Sequence, residues 1–165
     1  MAVFAMFAAM MYAGRFVMQA LPNIHPVGML VMVLTVVYRV YALIPLYLYV
    51  LLEGLLSGFS AWWVPYLYIW TVLWGMTMLI PKKIPPKIAA FVYPLVCALF
   101  GMCYGTLYAP MQVLLFFHGK WEMMWPWIVA GLPFDATHAA GNLCMGLLVL
   151  PLSKAIALLR TKYRY

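Results

Sequence analysis

The chain has 165 residues, of which 68% are hydrophobic and only 8% charged, and its mean hydropathy is +1.01; a soluble domain of this size could not hide that much apolar surface. Its net charge of +7 does not point to nucleic acid, because the cations sit in loops beside apolar runs, where the positive-inside rule accounts for them. Cys97, Cys103 and Cys144 all lie inside apolar runs, which argues against a disulfide framework and reads as plain packing.

Because the hydrocarbon core is about 30 Å thick and a helix rises about 1.5 Å per residue, roughly 20 apolar residues make one span, and this chain has room for about six. The first expected span runs from about Ala2 to Leu21. It lacks a basic n-region and carries Arg15 where a signal peptide would be uninterrupted, so it reads as a retained span. Leu21-Pro22-Asn23 stops it, and a short loop, Pro22 to Pro26, follows. Span 2 covers about Val27 to Tyr38 and ends at Arg39; span 3 covers about Ala42 to Gly58 and contains Glu53. Span 4 runs from about Trp62 to Ile80. Pro81-Lys82-Lys83-Ile84-Pro85-Pro86-Lys87 is a hydrophilic, proline-dense loop. Span 5 begins near Ile88 and reaches Tyr108, where Ala109-Pro110 is expected to break it. Met111 to Trp127, interrupted by His118-Gly119-Lys120 and Pro126, reads as a re-entrant or interfacial segment. Span 6 covers about Ala136 to Leu159 and leads into a basic tail, Arg160 to Tyr165. The fold class is therefore all-α, a single polytopic domain over residues 1–165.

Arg39, the Lys82, Lys83 and Lys87 cluster, and Arg160, Lys162 and Arg164 fall on one side of such a topology, with both termini, and mark that side as cytoplasmic. Lys120 is the exception. The acids and histidines, which played no part in that choice, fall at the other side: His25, His118 and Glu122 in external loops, Glu53 near the external end of span 3, Asp135 and His138 at the external start of span 6. Trp62, Trp63, Trp121, Trp125 and Trp127 cluster at the same boundary, as interfacial belts do.

A charge at bilayer depth costs roughly 2.5 to 3.5 kcal/mol on insertion scales, so Arg15 and Glu53 need each other or a watery cavity. Arg15 and Gln19 share one face of span 1. Asp135, His138 and Asn142, spaced i, i+3, i+7, share one face of span 6. Polar faces on two helices at the same end predict a cavity that takes a polar molecule from outside; purely structural contacts between helices are the alternative. Ala5, Ala9 and Ala13 form a small-xxx-small stripe that lets another helix approach closely, either within the bundle or from another subunit. No pair of His, Asp or Glu has metal-ligand spacing such as HExxH, and there is no GxSxG, P-loop or paired catalytic carboxylate. Neither a cofactor nor catalysis is expected. An intramembrane enzyme using His138 and Asp135, and a structural assembly protein, are the rival readings.

Leu21-Pro22-Asn23-Ile24-His25-Pro26-Val27 after the first span, with Gly131-Leu132-Pro133-Phe134-Asp135-Ala136-Thr137-His138-Ala139-Ala140-Gly141-Asn142 leading into the last, resembles the integral-membrane S components of energy-coupling factor (ECF) vitamin transporters. The resemblance implies a compact bundle of six transmembrane helices in the bacterial plasma membrane that binds a vitamin or related micronutrient near its outer face. It also implies docking through the alanine stripe onto a transmembrane T subunit driven by two ATPase subunits. The Pro22–Pro26 loop would serve as a lid. Arg15, Gln19, Asn23, His25, Glu53, Asp135, His138 and Asn142 would supply the polar lining, and Trp62, Trp63, Tyr66 and Trp70 would stack on a ring-bearing ligand.

Overall fold

A computed structural model describes residues 2–21 and 23–163. Pro22 of the expected lid and Arg164 of the expected basic tail lie outside the described residues. The described residues are helical and contain no strand: α1 (Ala2–Val17), α2 (Val27–Tyr38), a 3-10 turn (Arg39–Ala42), α3 (Leu43–Ser57), α4 (Tyr66–Met78), α5 (Pro86–Met102), α6 (Tyr104–Phe116), a second 3-10 turn (Trp121–Met123), α7 (Met124–Gly146) and α8 (Val149–Tyr163). By length and composition, Val27–Ser57 and Pro86–Phe116, 31 residues each, are apolar enough to cross a membrane. The pair Trp121–Gly146 and Val149–Lys162, bent by 44°, is a third such span if it is taken as one.

Val27–Ser57 does not run straight. Arg39 takes φ +56°, a left-handed geometry uncommon outside glycine, and the chain folds back there. The consequence is visible on α1, where Gly14 lies against Pro26 at one end of the stretch while neighbouring Arg15 pairs with Glu53 at the other. The Arg39 guanidinium then donates to the Met78 carbonyl at 2.7 Å and the Ile80 carbonyl at 3.4 Å, satisfying the open carbonyl end of α4. Taken as legs, α1, α2, α3, α4, α5 with α6, and α7 with α8 alternate in direction. One pole of the bundle carries Asn23–Pro26, Trp62 and the Phe117–Lys120 turn. The opposite pole carries Arg39, Lys82–Lys87 and the end of α8.

Several expected boundaries are corrected. α1 ends at Val17, not Leu21: Gln19 and Leu21 bond only three residues back, to Phe16 and Met18, and this tightened turn brings Pro26 onto Gly14. Pro110 does not break the fifth leg, since α6 runs through it to Phe116 and packs against α7. A proline deletes one bond and bends a helix, but an apolar setting penalises every further unpaired backbone group, which keeps the helix going. The Met111–Trp127 stretch, expected as a re-entrant or interfacial segment, is helical on both sides of one turn. It is a helical hairpin, the end of α6 and the start of α7, turning at Phe117–Lys120. Nor does the last leg start at Ala136; α7 starts at Met124, which puts Asp135 and His138 well inside a helix. The break comes instead at Leu147–Leu148, where Pro151 in the first turn of α8 has no N–H for the Leu147 carbonyl.

The core gathers on Trp70, Tyr49, Phe100, Met11 and Leu34, all fully buried. α5 and α7 cross closely because their contact is lined with glycine. A Cβ on Gly101 would stand 2.9 Å from the Ala139 nitrogen and the His138 carbonyl oxygen, and one on Gly146 would stand 2.6 Å from the Pro94 Cα. That close crossing holds His138 and Asn142 against the centre of the bundle.

Candidate functional site

A cavity of about 630 Å³ opens at the pole that carries Asn23–Pro26. The end of α1 and the turn after it form one wall with Tyr12, Arg15, Phe16 and Gln19, the α1–α2 connection crosses it with Asn23, Ile24 and His25, and Leu56 and Ser57 border it from α3. Trp62, Tyr66, Tyr104, Tyr108 and His138 close the remaining side. Segments far apart in sequence therefore meet here: His25 and His138 face each other at 5.3 Å between ring centroids, and the Asn23 amide reaches the Phe134 carbonyl at 3.5 Å. Asn23 can make this turn because its φ of +60° lies in the left-handed region that asparagine tolerates better than most residues.

The polar equipment of the cavity falls into two parts. Arg15 is held by Glu53 at 2.5 Å; the carboxylate is 0% exposed, the Arg15 side chain 33%. Arg15 thus keeps donors facing the cavity while Glu53 balances its charge from behind. Opposite it, His25 Nδ1 and His138 Nε2 are buried with no hydrogen-bond partner among the described residues, as are Trp70 Nε1 and Asn142 Nδ2 beneath them. Native interiors rarely leave such atoms unsatisfied, so His25 Nδ1 and His138 Nε2 at the cavity are open to water or to the polar groups of a ligand. Burial, with His138 and Arg15 close by, holds His25 far below its ordinary range, at about 3. Its ring is neutral at physiological pH and offers one donor and one acceptor.

Arg15, Gln19, Asn23, His25, Trp62, Tyr66 and His138, all expected in the site, line the cavity. The other expected residues stand behind it. Glu53 anchors Arg15, and Trp63 donates to the Val50 carbonyl at 2.8 Å. Trp70 is fully buried and packs on His25, Tyr49, Tyr66, Phe100 and Tyr104. Asn142 is buried between Gly28 and Gly101. Asp135 accepts the Gly105 N–H at 2.9 Å, which caps the first turn of α6 across the helix interface after the break at Cys103. No hydrogen bond joins Asp135 to His138, so no His–Asp dyad forms.

Tyr12, Phe16, Ser57, Tyr104 and Tyr108 line the cavity without having been picked out in the sequence. Tyr12 could have been found, since it shares a helical face with Arg15 and Gln19. Tyr104 and Tyr108 lie one turn apart at the expected outer end of span 5, but which face of that leg meets the cavity is set by tertiary packing. Ala5, Ala9 and Ala13 are all exposed, while Phe7, Ala8 and Met11 on the other face of α1 are buried; the alanine stripe does not pack within the bundle. Among the described residues no group of three metal-ligating side chains gathers. Comparison with protein-family models, with curated proteins and with solved structures finds no match.

Proposed function

We propose that this chain is the substrate-capture subunit of an ECF-type importer, a multi-pass protein of the bacterial plasma membrane that takes a vitamin or related micronutrient from outside. In this reading both termini and Lys82–Lys87 are cytoplasmic, the legs cross the bilayer, and the cavity faces out. The observation that carries it is the meeting of the two motif segments at one cavity, lined by Asn23, Ile24 and His25 from the first and by His138 from the second, where His25 Nδ1 and His138 Nε2 are buried without a hydrogen-bond partner among the described residues. Support for the orientation comes from charge: the cations at the Lys82–Lys87 pole are matched by none of the three acids, which lie toward the other pole. α5 with α6 measures about 46 Å at 1.5 Å per residue, more than a bilayer core. The hairpin of α6 and α7 therefore stands proud of the outer surface, with Trp121, Trp125 and Trp127 at the headgroup level.

The lining describes the ligand. Tyr12, Trp62, Tyr66, Tyr104 and Tyr108 offer ring faces and edges to a planar group. Arg15 supplies donors to a carbonyl or carboxylate, and the His25 and His138 rings add nitrogen donors or acceptors. The exposed Ala5, Ala9 and Ala13 face is free for the T subunit, through which the two ATPase subunits would drive release. To test the reading, the single chain is purified gently, denatured, and the released small molecules are identified by mass spectrometry. A ring-bearing micronutrient at close to one per chain is the expected result. Its absence, together with no uptake when the chain is coexpressed with a T subunit and ATPases, would refute it.

A further inference from the structure

At the pole opposite the cavity, the ends of α2, α5 and α8 enclose a second groove of about 570 Å³. Its walls are apolar, with Val36 and Val37 from α2, Ile84 from the α4–α5 loop, and Leu150 and Ala157 from α8. Its polar rim is cationic: Lys82, Lys154 and Arg160 all line it, with Tyr93, Ser153 and Thr161 between them. The α8 contributors recur at three- and four-residue spacing from Leu150 to Thr161, so one face of the helix is given over to the groove. Arg160 is already positioned, donating to the Val37 carbonyl at 3.2 Å with its guanidinium 5.2 Å from the Tyr38 ring centroid. No Asp or Glu side chain among the described residues forms an ion pair with Lys82, Lys154 or Arg160.

We propose that this groove binds the phosphate headgroup of an anionic phospholipid. Positive-inside topology alone explains cations in the loops, but not their gathering around a groove whose walls are apolar. That combination fits a phosphodiester with acyl chains attached: the cations meet the phosphate, and the Val36, Val37 and Leu150 wall meets the chains. The groove lies where the helical legs end, at the level of a headgroup layer. Basic pockets between transmembrane helices on the cytoplasmic side are the general setting for such recognition. A free phosphate would satisfy the cations and leave the apolar wall unused. The proposal rests on the membrane embedding of the chain and not on the vitamin reading; the lipid experiment reads no ligand uptake, so the two can fail separately.

The test is thermal unfolding of the purified full chain in neutral detergent, titrated separately with phosphatidylglycerol, phosphatidylcholine and inorganic phosphate. Phosphatidylglycerol alone is expected to raise the unfolding temperature. Lys82→Gln with Lys154→Gln should raise the phosphatidylglycerol concentration needed for that response about 25-fold, at about fivefold in affinity per cation. Ala157→Trp, which keeps every charge and fills the groove, should abolish it. Both lysines are exposed, so the lipid-free unfolding temperature should not change; should it fall, the count of phosphatidylglycerol molecules retained by the wild-type chain in native mass spectrometry, against phosphatidylcholine, decides. An equal response to both lipids, or to inorganic phosphate, would overturn the proposal, the latter by marking a free-anion site. Full phosphatidylglycerol binding by Ala157→Trp would reduce the site to surface charge. Loss of copurifying protein subunits from the lysine variants with lipid binding intact would reassign the groove to a protein partner.

Discussion

Arg15 and Glu53 form an ion pair with one partner sealed and the other beside a cavity, so the two halves of the pair should not cost the same to remove. Arg15→Ala strands a carboxylate that is 0% exposed, and an uncompensated buried charge typically costs about 3 to 5 kcal/mol. Glu53→Gln keeps the shape of the side chain and an acceptor for the guanidinium, which at 33% exposure still reaches the cavity. Its cost is closer to the loss of one charge-assisted hydrogen bond, about 1.5 to 3 kcal/mol at most. At about 2 to 4 °C per kcal/mol for a chain of this size, Arg15→Ala should unfold on the order of 10 °C below wild type, and Glu53→Gln distinctly less. Arg15→Met combined with Glu53→Gln removes both charges and should recover most of the Arg15→Ala loss. The assay is thermal unfolding of ligand-free protein in one detergent, followed by tryptophan fluorescence and read as a double-mutant cycle. Equal costs for the two single changes, adding without coupling in the double, would show that the buried carboxylate does not depend on Arg15.

Three further outcomes follow from the same geometry. His138→Ala removes a buried side chain that lines the cavity and should weaken binding of the copurified ligand, per folded molecule, roughly tenfold to hundredfold beyond any loss of ligand-free stability; Asn142→Ala, behind the cavity between Gly28 and Gly101, should lower ligand-free stability and leave affinity per folded molecule unchanged, both read by unfolding with and without ligand. Ala9→Trp on the exposed face of α1 should leave folding and ligand binding intact while abolishing copurification with T subunit and ATPases, and unchanged copurification would assign that face to lipid. Gly101→Val should destabilise the chain by about 1 to 3 kcal/mol by forcing α5 away from Ala139, detectable as a lower unfolding temperature, whereas Gly75→Val, with open space around it, should not.

Composition and turn chemistry made the helical class legible, along with most leg boundaries near Arg39, Gly58 and Lys82–Lys87, because each of these marks a local stop that needs no tertiary knowledge. The pairing of Arg15 with Glu53 was also legible, since two isolated charges in apolar runs have few other partners. What local rules missed were the prolines. Pro110 reads as a stop but lies inside a helix held by α7, while the real break before α8 comes from Pro151. Whether a proline ends a helix depends on what the freed carbonyl meets, which is a tertiary question. The same limit applies to Asp135: the i, i+3, i+7 face with His138 and Asn142 is real, but only the break at Cys103 on another helix explains why its carboxylate caps α6 and does not face the cavity. Trp70 likewise reads as a stacking platform and turns out to be the packing centre beneath one.

Ser57 lines the cavity at the end of α3, which makes it the most direct reporter of whether the cavity faces outside and holds the ligand. With Cys97, Cys103 and Cys144 replaced, a Ser57→Cys chain in intact cells is exposed to a membrane-impermeant maleimide with and without the small-molecule fraction released from the purified protein. Rapid labelling of intact cells that the released fraction suppresses is the predicted result. Labelling that requires permeabilised membranes, or that the fraction leaves unchanged, would contradict an outward-facing binding site.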